Sequence, residues 1–236
     1  MKKRLVVKLI IAMLSLATIL CFAIGCGGAH QHVYGKGISN NDGTHTKTCL
    51  YDANHTVTEI CTFVDYTCSN CGYSYYTEGL DFVLSGNGME YFVSGCSPLL
   101  KNVIIPSTYQ GKPVTSIGEG AFENCTSLTN VVIGNSVKSI GDYAFEDCSS
   151  LTNVAIGNSV TSIGMDAFSE CCSLTSIEIP NSVKSISDGA FSYCSSLTSI
   201  KFDGTKAEWK EIYKGYYWVD EIKATFVICT DGVVAI

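Results

Sequence analysis

The chain has 236 residues, of which 15 are Lys or Arg and 22 are Asp or Glu, so its formal charge is −7. This acidic balance argues against a nucleic-acid partner, because nucleic-acid binding requires clustered Lys and Arg that displace counterions. The length allows one extended domain, or one domain with a small appendage. Thirteen cysteines is a high number and requires an explanation by disulfides, metal ligation or core packing.

Residues 1–25 have the pattern of a targeting segment. An apolar run over residues 9–24 ends in Gly25 and Cys26, and it follows the basic residues Lys2, Lys3, Arg4 and Lys8. The segment resembles a bacterial lipoprotein signal, which implies cleavage before Cys26 and a lipid on that cysteine. The alternative is an uncleaved anchor, because the run is only slightly shorter than the ~20 apolar residues that span a bilayer. Both interpretations predict an exported chain, tethered to the outer face of a bacterial membrane or cell surface.

Export changes the balance of charges and cysteines. The four basic residues leave with the segment and no acidic residue does, so the mature chain has 11 basic and 22 acidic residues and a formal charge of −11. Cys21 also leaves, and Cys26 carries the lipid, so 11 cysteines remain. Disulfides are the default expectation for an exported chain, but an odd number cannot pair completely.

Residues 26–78 form a Cys/His-rich module that contains all four histidines of the chain. In the stretch CSNCGY, the thiolates of Cys68 and Cys71 have the spacing that binds one tetrahedral metal ion from a tight turn. Candidates for the remaining ligands are His45, Cys49, His55 and Cys61. Structural zinc within residues 27–78 is one interpretation, and disulfides or free thiols are the alternatives. No HExxH or comparable motif supports a catalytic metal.

Four units of 23 residues follow one another without a gap between residues 113 and 204. They read PVTSIGEGAFENCTSLTNVVIGN, SVKSIGDYAFEDCSSLTNVAIGN, SVTSIGMDAFSECCSLTSIEIPN and SVKSISDGAFSYCSSLTSIKFDG. In LTSIEI, Ile177 and Ile179 alternate with Glu178 as inward residues of a short strand do, and SVTSIG is a second extended piece. The spacing in MDAFSEC predicts one or two turns of α-helix or 3₁₀-helix. Because no unit can bury its apolar residues alone, the units are predicted to stack as a solenoid.

The repeat pattern LxxIxIPxSVxSIGxxAFxxCxS resembles the BspA-like, or Treponema-type, leucine-rich repeat. The resemblance implies an α/β repeat fold, in which short parallel strands and short helices form a solenoid. Gly134 and Gly157 replace the proline seen at Pro180, and Ser187 replaces a glycine, which we expect to loosen local turns without threatening the fold. The Cys/His-rich module is similar to short zinc-ribbon-like modules that precede such repeats, but a second CxxC is absent.

Capping segments are predicted at both ends of the solenoid. Residues 79–112 would form the N-terminal cap and a partial repeat, with a hairpin over residues 80–95. Residues 205–236 would form the C-terminal cap, with a capping-box helix start at Thr205 and Glu208 and a hairpin about Asp231 and Gly232. In this cap, Trp209 and Ile212 share one helix face, and the aromatic run 216–218 is expected to be cap core rather than a binding patch.

The repeats also place cysteines and acidic residues at fixed positions. The column Cys125, Cys148, Cys171 and Cys194 is predicted to be buried as free thiols, because neighbouring Cβ vectors in a parallel stack run side by side. Cys172 is expected to point elsewhere and to be the more reactive thiol, whereas Cys96 and Cys229 lie in the caps and are either free or paired. We expect a solvated acidic edge rather than a cation site at Glu119, Glu123, Asp142, Glu146, Asp147, Asp166, Glu170 and Asp188.

The outward positions of the repeat strands are small and mostly uncharged, and they are the candidate partner-binding residues. They are Asn130, Thr152, Asn153, Thr175, Ser176, Glu178, Ser199 and Lys201. Catalysis is not expected, because GxSxG is absent and no histidine lies in the repeats. The resemblance implies a non-catalytic adhesion protein that contacts host or bacterial proteins. The alternatives are a structural or envelope lipoprotein that acts as a spacer, and an exported enzyme with a thiol or metal centre.

Overall fold

A computed structural model describes residues 76–236 in full, together with the backbone of five short strands between residues 38 and 68. These strands are β1 (Ile38–Ser39), β2 (Thr44–Thr48), β3 (Thr56–Ile60), β4 (Phe63–Val64) and β5 (Thr67–Cys68). The first three form an antiparallel sheet in chain order, and β4 pairs antiparallel with β5. The lipoprotein-like segment and Cys26 lie outside the described residues. No helix in the described part of the chain is long and apolar enough to cross a membrane.

The N-terminal cap is the predicted hairpin. Its strands are β6 (Leu80–Leu84) and β7 (Tyr91–Cys96), followed by β8 (Asn102–Ile105), β9 (Thr108–Tyr109) and β10 (Lys112–Ile117). Because β7 pairs parallel with β10, the hairpin extends one sheet of the repeats and covers the open end of the solenoid. The ring of Tyr109 stacks on Phe82 at 4.0 Å and makes edge contacts with Tyr76 and Tyr91. This aromatic cluster fixes the cap to the turn that precedes the first repeat.

Each repeat contributes two strands, which form two parallel stacks. The first stack contains β10, β12 (Ser139–Ile140), β14 (Ser162–Ile163), β16 (Ser185–Ile186) and β18 (Tyr213–Lys214). The second contains β8, β11 (Asn130–Ile133), β13 (Asn153–Ala155), β15 (Ser176–Ile179) and β17 (Ser199–Phe202). Within the repeats, paired residues are separated by one full repeat, as Ser162 and Ser185 are. The predicted solenoid of stacked parallel strands is therefore confirmed.

The core is a continuous column of equivalent side chains. The rings of Phe122, Phe145, Phe168 and Phe191 are fully buried and stack face to face, with centroid separations of 4.8, 5.1 and 5.3 Å. Each Phe packs among the buried Val, Ile and Leu residues of both strand stacks. The repeat period thus brings identical residues into contact with one another, and a unit on its own would expose this surface.

The segment that carries each Phe is a series of turns, not the helix that its spacing predicts. Two residues per repeat have left-handed backbone angles, for example Tyr143 at φ 58° and Asp147 at φ 50°. Alternate amides bond within the segment and to the next repeat: Glu146 N–H donates to the Tyr143 carbonyl, and Phe145 N–H donates to the Ala167 carbonyl. Since i to i+3 contacts occur in such turns as well as in helices, side-chain spacing alone did not distinguish them.

The C-terminal cap contains the predicted helix and hairpin. They are α1 (Lys206–Glu211), β19 (Phe226–Cys229) and β20 (Gly232–Ala235). The capping box is present, because the Thr205 hydroxyl accepts from the Glu208 amide and the Glu208 carboxylate accepts from the Thr205 amide at 2.7 Å. Trp209 and Ile212, which were predicted to share one helix face, are both buried. The expectation of cap core is wrong for Tyr216 and Tyr217, because their rings point to solvent and only their backbone joins the stack.

Candidate functional site

The candidate site is the strand face, which we define as the solvent-facing side of β8, β11, β13, β15 and β17. The predicted alternation is confirmed in β15, where Ile177 and Ile179 are buried while Ser176 and Glu178 are exposed. All eight candidate partner-binding residues lie on this face or at its edge. Asn130 and Ser199 are half-buried, and the other six are exposed: Thr152, Asn153, Thr175, Ser176, Glu178 and Lys201.

An asparagine ladder runs across the first half of the strand face. The amide of Asn130 donates to the side-chain oxygen of Asn102 at 2.6 Å, and the amide of Asn153 donates to that of Asn130 at 2.8 Å. Threonine hydroxyls make a parallel row, in which Thr152 donates to the Thr129 carbonyl at 3.0 Å. These bonds hold the outward polar groups in fixed positions. The sequence analysis did not select Asn102. Its position in the partial repeat, equivalent to that of Asn130, could have indicated it.

Both rows stop between β13 and β15. Ser176 takes the position after Asn153 in the register, and in the fully described region 76–236 no hydrogen bond joins these two strands. The threonine row resumes beyond this point, where β15 and β17 pair over four residues and the Thr198 hydroxyl donates to the Thr175 carbonyl at 3.2 Å. The opposite stack stays continuous across the same two repeats, since β14 pairs with both β12 and β16. The pairing of strands is therefore interrupted on the strand face but not in the opposite stack.

The residue that ends each strand-face segment changes at the break. A Cβ added at Gly157 would meet the Gly134 carbonyl oxygen at 2.5 Å, which means that these two turns stack more closely than residues with side chains can. Pro180 has a side chain at the next equivalent position, so its turn cannot approach Gly157 to the same distance. The two glycines thus tighten the stack, which corrects the expectation that they loosen it.

A shallow, open pocket with a volume of about 140 Å³ lies at the break. Its lining consists of Asn153, Val154, Ser176, Ile177, Glu178 and Lys201. Val154 is half-buried, whereas its equivalents in the neighbouring repeats, Val131 and Ile177, are almost fully buried. Glu178 and Lys201 are paired across adjacent strands, and so place opposite charges on one rim. The pocket therefore combines an apolar floor with amide, hydroxyl, carboxylate and ammonium groups, a composition suited to holding one side chain of a partner.

The cysteine column is buried as predicted, and its last three members do not form a reactive centre. Cys148, Cys171 and Cys194 are fully buried, and burial raises the pKa of the Cys148 and Cys194 thiols to about 12. Cys172 points away from the column and is exposed. A thiol that stays protonated and inaccessible is a poor nucleophile, so this column serves packing rather than catalysis.

The acidic edge is a second surface feature and has no ligand-holding arrangement. Partial burial, with nearby Glu123, Asp166, Glu170 and Asp147, raises the pKa of Glu146. The pKa of Asp166 is also raised, first by desolvation and then by Asp188 and Asp142. Among the described residues, no group of three or more His, Cys, Asp or Glu side chains has the geometry to hold a metal ion. The neighbouring carboxylates thus add to the rise in pKa that partial burial causes at Glu146 and Asp166.

The predicted zinc ligands lie in the Cys/His-rich module. His45 is on β2 and Cys68 is on β5. Cys49, His55, Cys61 and Cys71 lie outside the described residues, and the zinc hypothesis stays a prediction.

The repeat pattern matches one protein family. Residues 115–217 match the model of the BspA type leucine rich repeat region in six copies. The repeat region belongs to the BspA-type leucine-rich repeat family. The BspA-type match ends beyond residue 204, so it includes part of the C-terminal cap, where β18 continues the first strand stack. No curated protein sequence matches the chain.

Solved structures of bacterial leucine-rich repeat proteins are similar to the chain. One from Bacteroides capillosus is 30% identical, with a TM-score of 0.48, and the match covers 54% of this chain and 96% of that one. The T. pallidum leucine rich repeat protein is 22% identical, with a TM-score of 0.42 and coverage of 58% and 84%. A leucine rich cell surface protein from Faecalibacterium prausnitzii is 22% identical, with a TM-score of 0.43 and coverage of 68% and 57%.

Proposed function

We propose that the protein is a non-catalytic surface protein that binds protein partners through its strand face. The pocket at the break between β13 and β15 is the observation that carries the proposal. Its polar rim consists of Asn153, Ser176, Glu178 and Lys201, which are four of the eight positions selected from the sequence as partner-binding. The lipoprotein-like segment at residues 1–25 supports a location at the cell surface, where such a face would meet other cells or host matrix.

The arrangement of the strand face favours a partner that supplies the anchoring side chains. Five strands at about 4.8 Å spacing span roughly 20 Å, enough for an interface near the lower end of specific complexes. The outward residues include no aromatic side chain or Arg, the types that dominate binding energy at interfaces. A Tyr or Arg of the partner can place its apolar part on Val154 and bond to Glu178 or Asn153 at the rim. We therefore expect modest affinity and dependence on this one pocket.

Catalysis receives no support from the arrangement of the repeats. Residues 76–236 contain no histidine, and burial raises the pKa of the Cys148 and Cys194 thiols. Neither the strand face nor the acidic edge places a base beside a nucleophile, as acyl transfer and hydrolysis require. Binding is the activity that the remaining surface can perform.

The test measures binding of the full chain to immobilised extracellular-matrix proteins and to whole cells of other bacteria. The variants Asn153→Arg and Ser176→Arg fill the pocket with bulky charge, and we expect each to reduce binding at least tenfold. Thr161→Arg is the matched control, because Thr161 is exposed on the opposite strand stack and donates to the Lys138 carbonyl at 3.0 Å. Circular dichroism and thermal melting confirm that all three variants are folded.

The outcomes separate the proposal from its alternatives. Binding that survives Asn153→Arg and Ser176→Arg but fails with Thr161→Arg would place the site on the opposite stack. Absence of binding to every protein and cell type in the panel would favour the structural or spacer role.

A further inference from the structure

The first member of the cysteine column differs from the others in its hydrogen bonding. The thiols of Cys148, Cys171 and Cys194 donate to the carbonyl oxygen of the Phe in the preceding repeat, at 3.1, 3.2 and 3.1 Å. Cys125 lies in the first repeat, and no such carbonyl bond is among the contacts of its thiol in the region 76–236. Its Sγ atom instead lies 3.2 Å from the Sγ atom of Cys96.

Both cysteines lie on fixed elements. Cys96 is the last residue of β7, the cap strand that pairs with β10 of the first repeat through Val93 and Ile117. The backbone amide of Cys125 donates to the Phe122 carbonyl at 3.1 Å, in the turn that carries the Phe column. A disulfide bond is about 2.05 Å long, so the two sulfurs need to approach by about 1 Å, which is within reach of a small side-chain rotation.

We propose that Cys96 and Cys125 form a disulfide that fastens the N-terminal cap to the first repeat. The pair joins two segments of the fold, because Cys96 ends the cap hairpin and Cys125 lies in the first repeat. The three deeper cysteines of the column are turned toward carbonyl oxygens and take no part.

The chemistry is thiol–disulfide exchange with a small-molecule disulfide as the oxidant. One thiolate of the pair attacks the oxidant, forms a mixed disulfide and releases one small thiolate. The second thiolate then attacks the protein sulfur of the mixed disulfide, the bond to the small molecule breaks, and a second small thiolate leaves. The protein loses two electrons and two protons, and the oxidant is reduced to two thiols.

The contact between the two sulfurs couples their ionisation. The hydrogen bond between them lowers the pKa of Cys125 and, together with burial, raises that of Cys96, so Cys125 is the first of the two to become a thiolate.

The bond would act on the open end of the solenoid. Terminal units of a repeat array have a neighbour on one side only, so they separate most easily. A covalent link between β7 and the first repeat restricts the unfolded chain and keeps the cap on the exposed core. We expect the oxidised protein to melt several degrees higher than the reduced protein.

The experiment treats the reduced full chain, in detergent, with oxidised glutathione, and then maps disulfide-linked peptides by mass spectrometry after blocking free thiols. A peptide pair that joins Cys96 to Cys125, together with a higher melting temperature, is the expected result. Cys96→Ser should abolish both the linked pair and the gain in melting temperature, whereas Cys172→Ser, a change at an exposed thiol outside the pair, should retain both.

Two results would overturn the proposal. One is that both thiols remain alkylatable after oxidation, and the other is that Cys96 is found linked to Cys172 or Cys229 instead. Cys96→Ser is preferred to Cys125→Ser for this test because Cys96 is only half-buried, so the variant should fold.

Discussion

The thiol of Cys171 donates a hydrogen bond to the carbonyl oxygen of Phe145, 26 residues earlier in the chain, at 3.2 Å. This bond joins neighbouring repeats, and the equivalent bonds of Cys148 and Cys194 repeat it along the solenoid. The bond turns each thiol away from the next cysteine in the column. It also gives the buried S–H group a hydrogen-bond acceptor inside the core.

We predict that alkylation will separate the cysteines of the repeats into two classes. At pH 8, Cys172 should react with a maleimide in the native protein, because it is exposed. Cys148, Cys171 and Cys194 should stay unmodified until denaturant is added, because each is buried with its pKa raised. Peptide mapping after timed labelling measures both classes. Equal labelling rates for Cys171 and Cys172 in the native protein would contradict the packing described here.

The acidic edge predicts a stabilising substitution. Glu146→Gln removes one charge from a row of carboxylates, and at pH 7 we expect it to raise the free energy of unfolding by about 0.5 kcal/mol or less, as is usual for surface charges. The folded-state pKa of Glu146 is raised, so the folded protein binds this proton more tightly than the unfolded chain does. The group therefore favours folding at low pH, and this contribution is lost as the pH rises through the folded pKa.

Urea unfolding of the wild type and Glu146→Gln at pH 7 and pH 3.5 measures this effect. The difference in stability should shrink at pH 3.5, where Glu146 is protonated, and also in 1 M salt, which screens exposed charges. Glu78→Gln is the matched control, because Glu78 is exposed immediately before the N-terminal cap. A larger gain at pH 3.5 than at pH 7 would refute the electrostatic explanation.

Pro180 is predicted to hold the strand face open. In Pro180→Gly, the turn after β15 can approach Gly157 as Gly157 approaches Gly134, so the amide of Thr175 or Ser176 should bond to the Thr152 carbonyl. We also expect a loss of up to ~1 kcal/mol in stability, because glycine gives the unfolded chain more freedom. A crystal structure of the variant measures the distance between β13 and β15.

Pro106→Gly is the control for this variant, because Pro106 precedes a turn at which the strands are already paired. It should leave the break unchanged. If β13 and β15 remain unpaired in Pro180→Gly, the explanation of the break by the proline side chain is wrong.

The zinc hypothesis for residues 27–78 predicts close to one equivalent of zinc in the full chain. Metal analysis after purification under reducing conditions measures this, and Cys68→Ser should lower the content because it removes one of the two closely spaced thiolates. Cys172→Ser, a change in the repeats, should have no effect. Less than about half an equivalent in the wild type would favour disulfides or free thiols in the module.

The sequence predicted the features that depend on spacing along the chain. A 23-residue period places Phe145 on Phe168, and alternation in β15 turns Ile177 inward and Glu178 outward. The Thr205 capping box is equally local, since its partner is three residues away. In each case the residues that interact are related by a fixed offset, which is visible without knowledge of the fold.

The features that sequence reasoning missed depend on distances between segments. The break beside β13 coincides with the change from Gly157 to Pro180, and its effect cannot be foreseen without knowing how closely two turns stack. Cys96 and Cys125 belong to different structural units, and no repeat offset relates them. The turns around Tyr143 were predicted as helix because these turns, like a helix, bring side chains three residues apart to the same side, and the sequence does not show which residues are left-handed.

Hydrogen exchange of the protein, alone and with a bound partner, tests the central claim most directly. For a matrix protein or bacterial surface protein that binds in the panel, the account predicts slower exchange in peptides covering residues 152–156 and 175–179. Peptides covering residues 139–148 and 162–171, which carry the opposite stack and the acidic edge, should exchange unchanged. Protection confined to those control peptides, with no change on the strand face, would contradict the account.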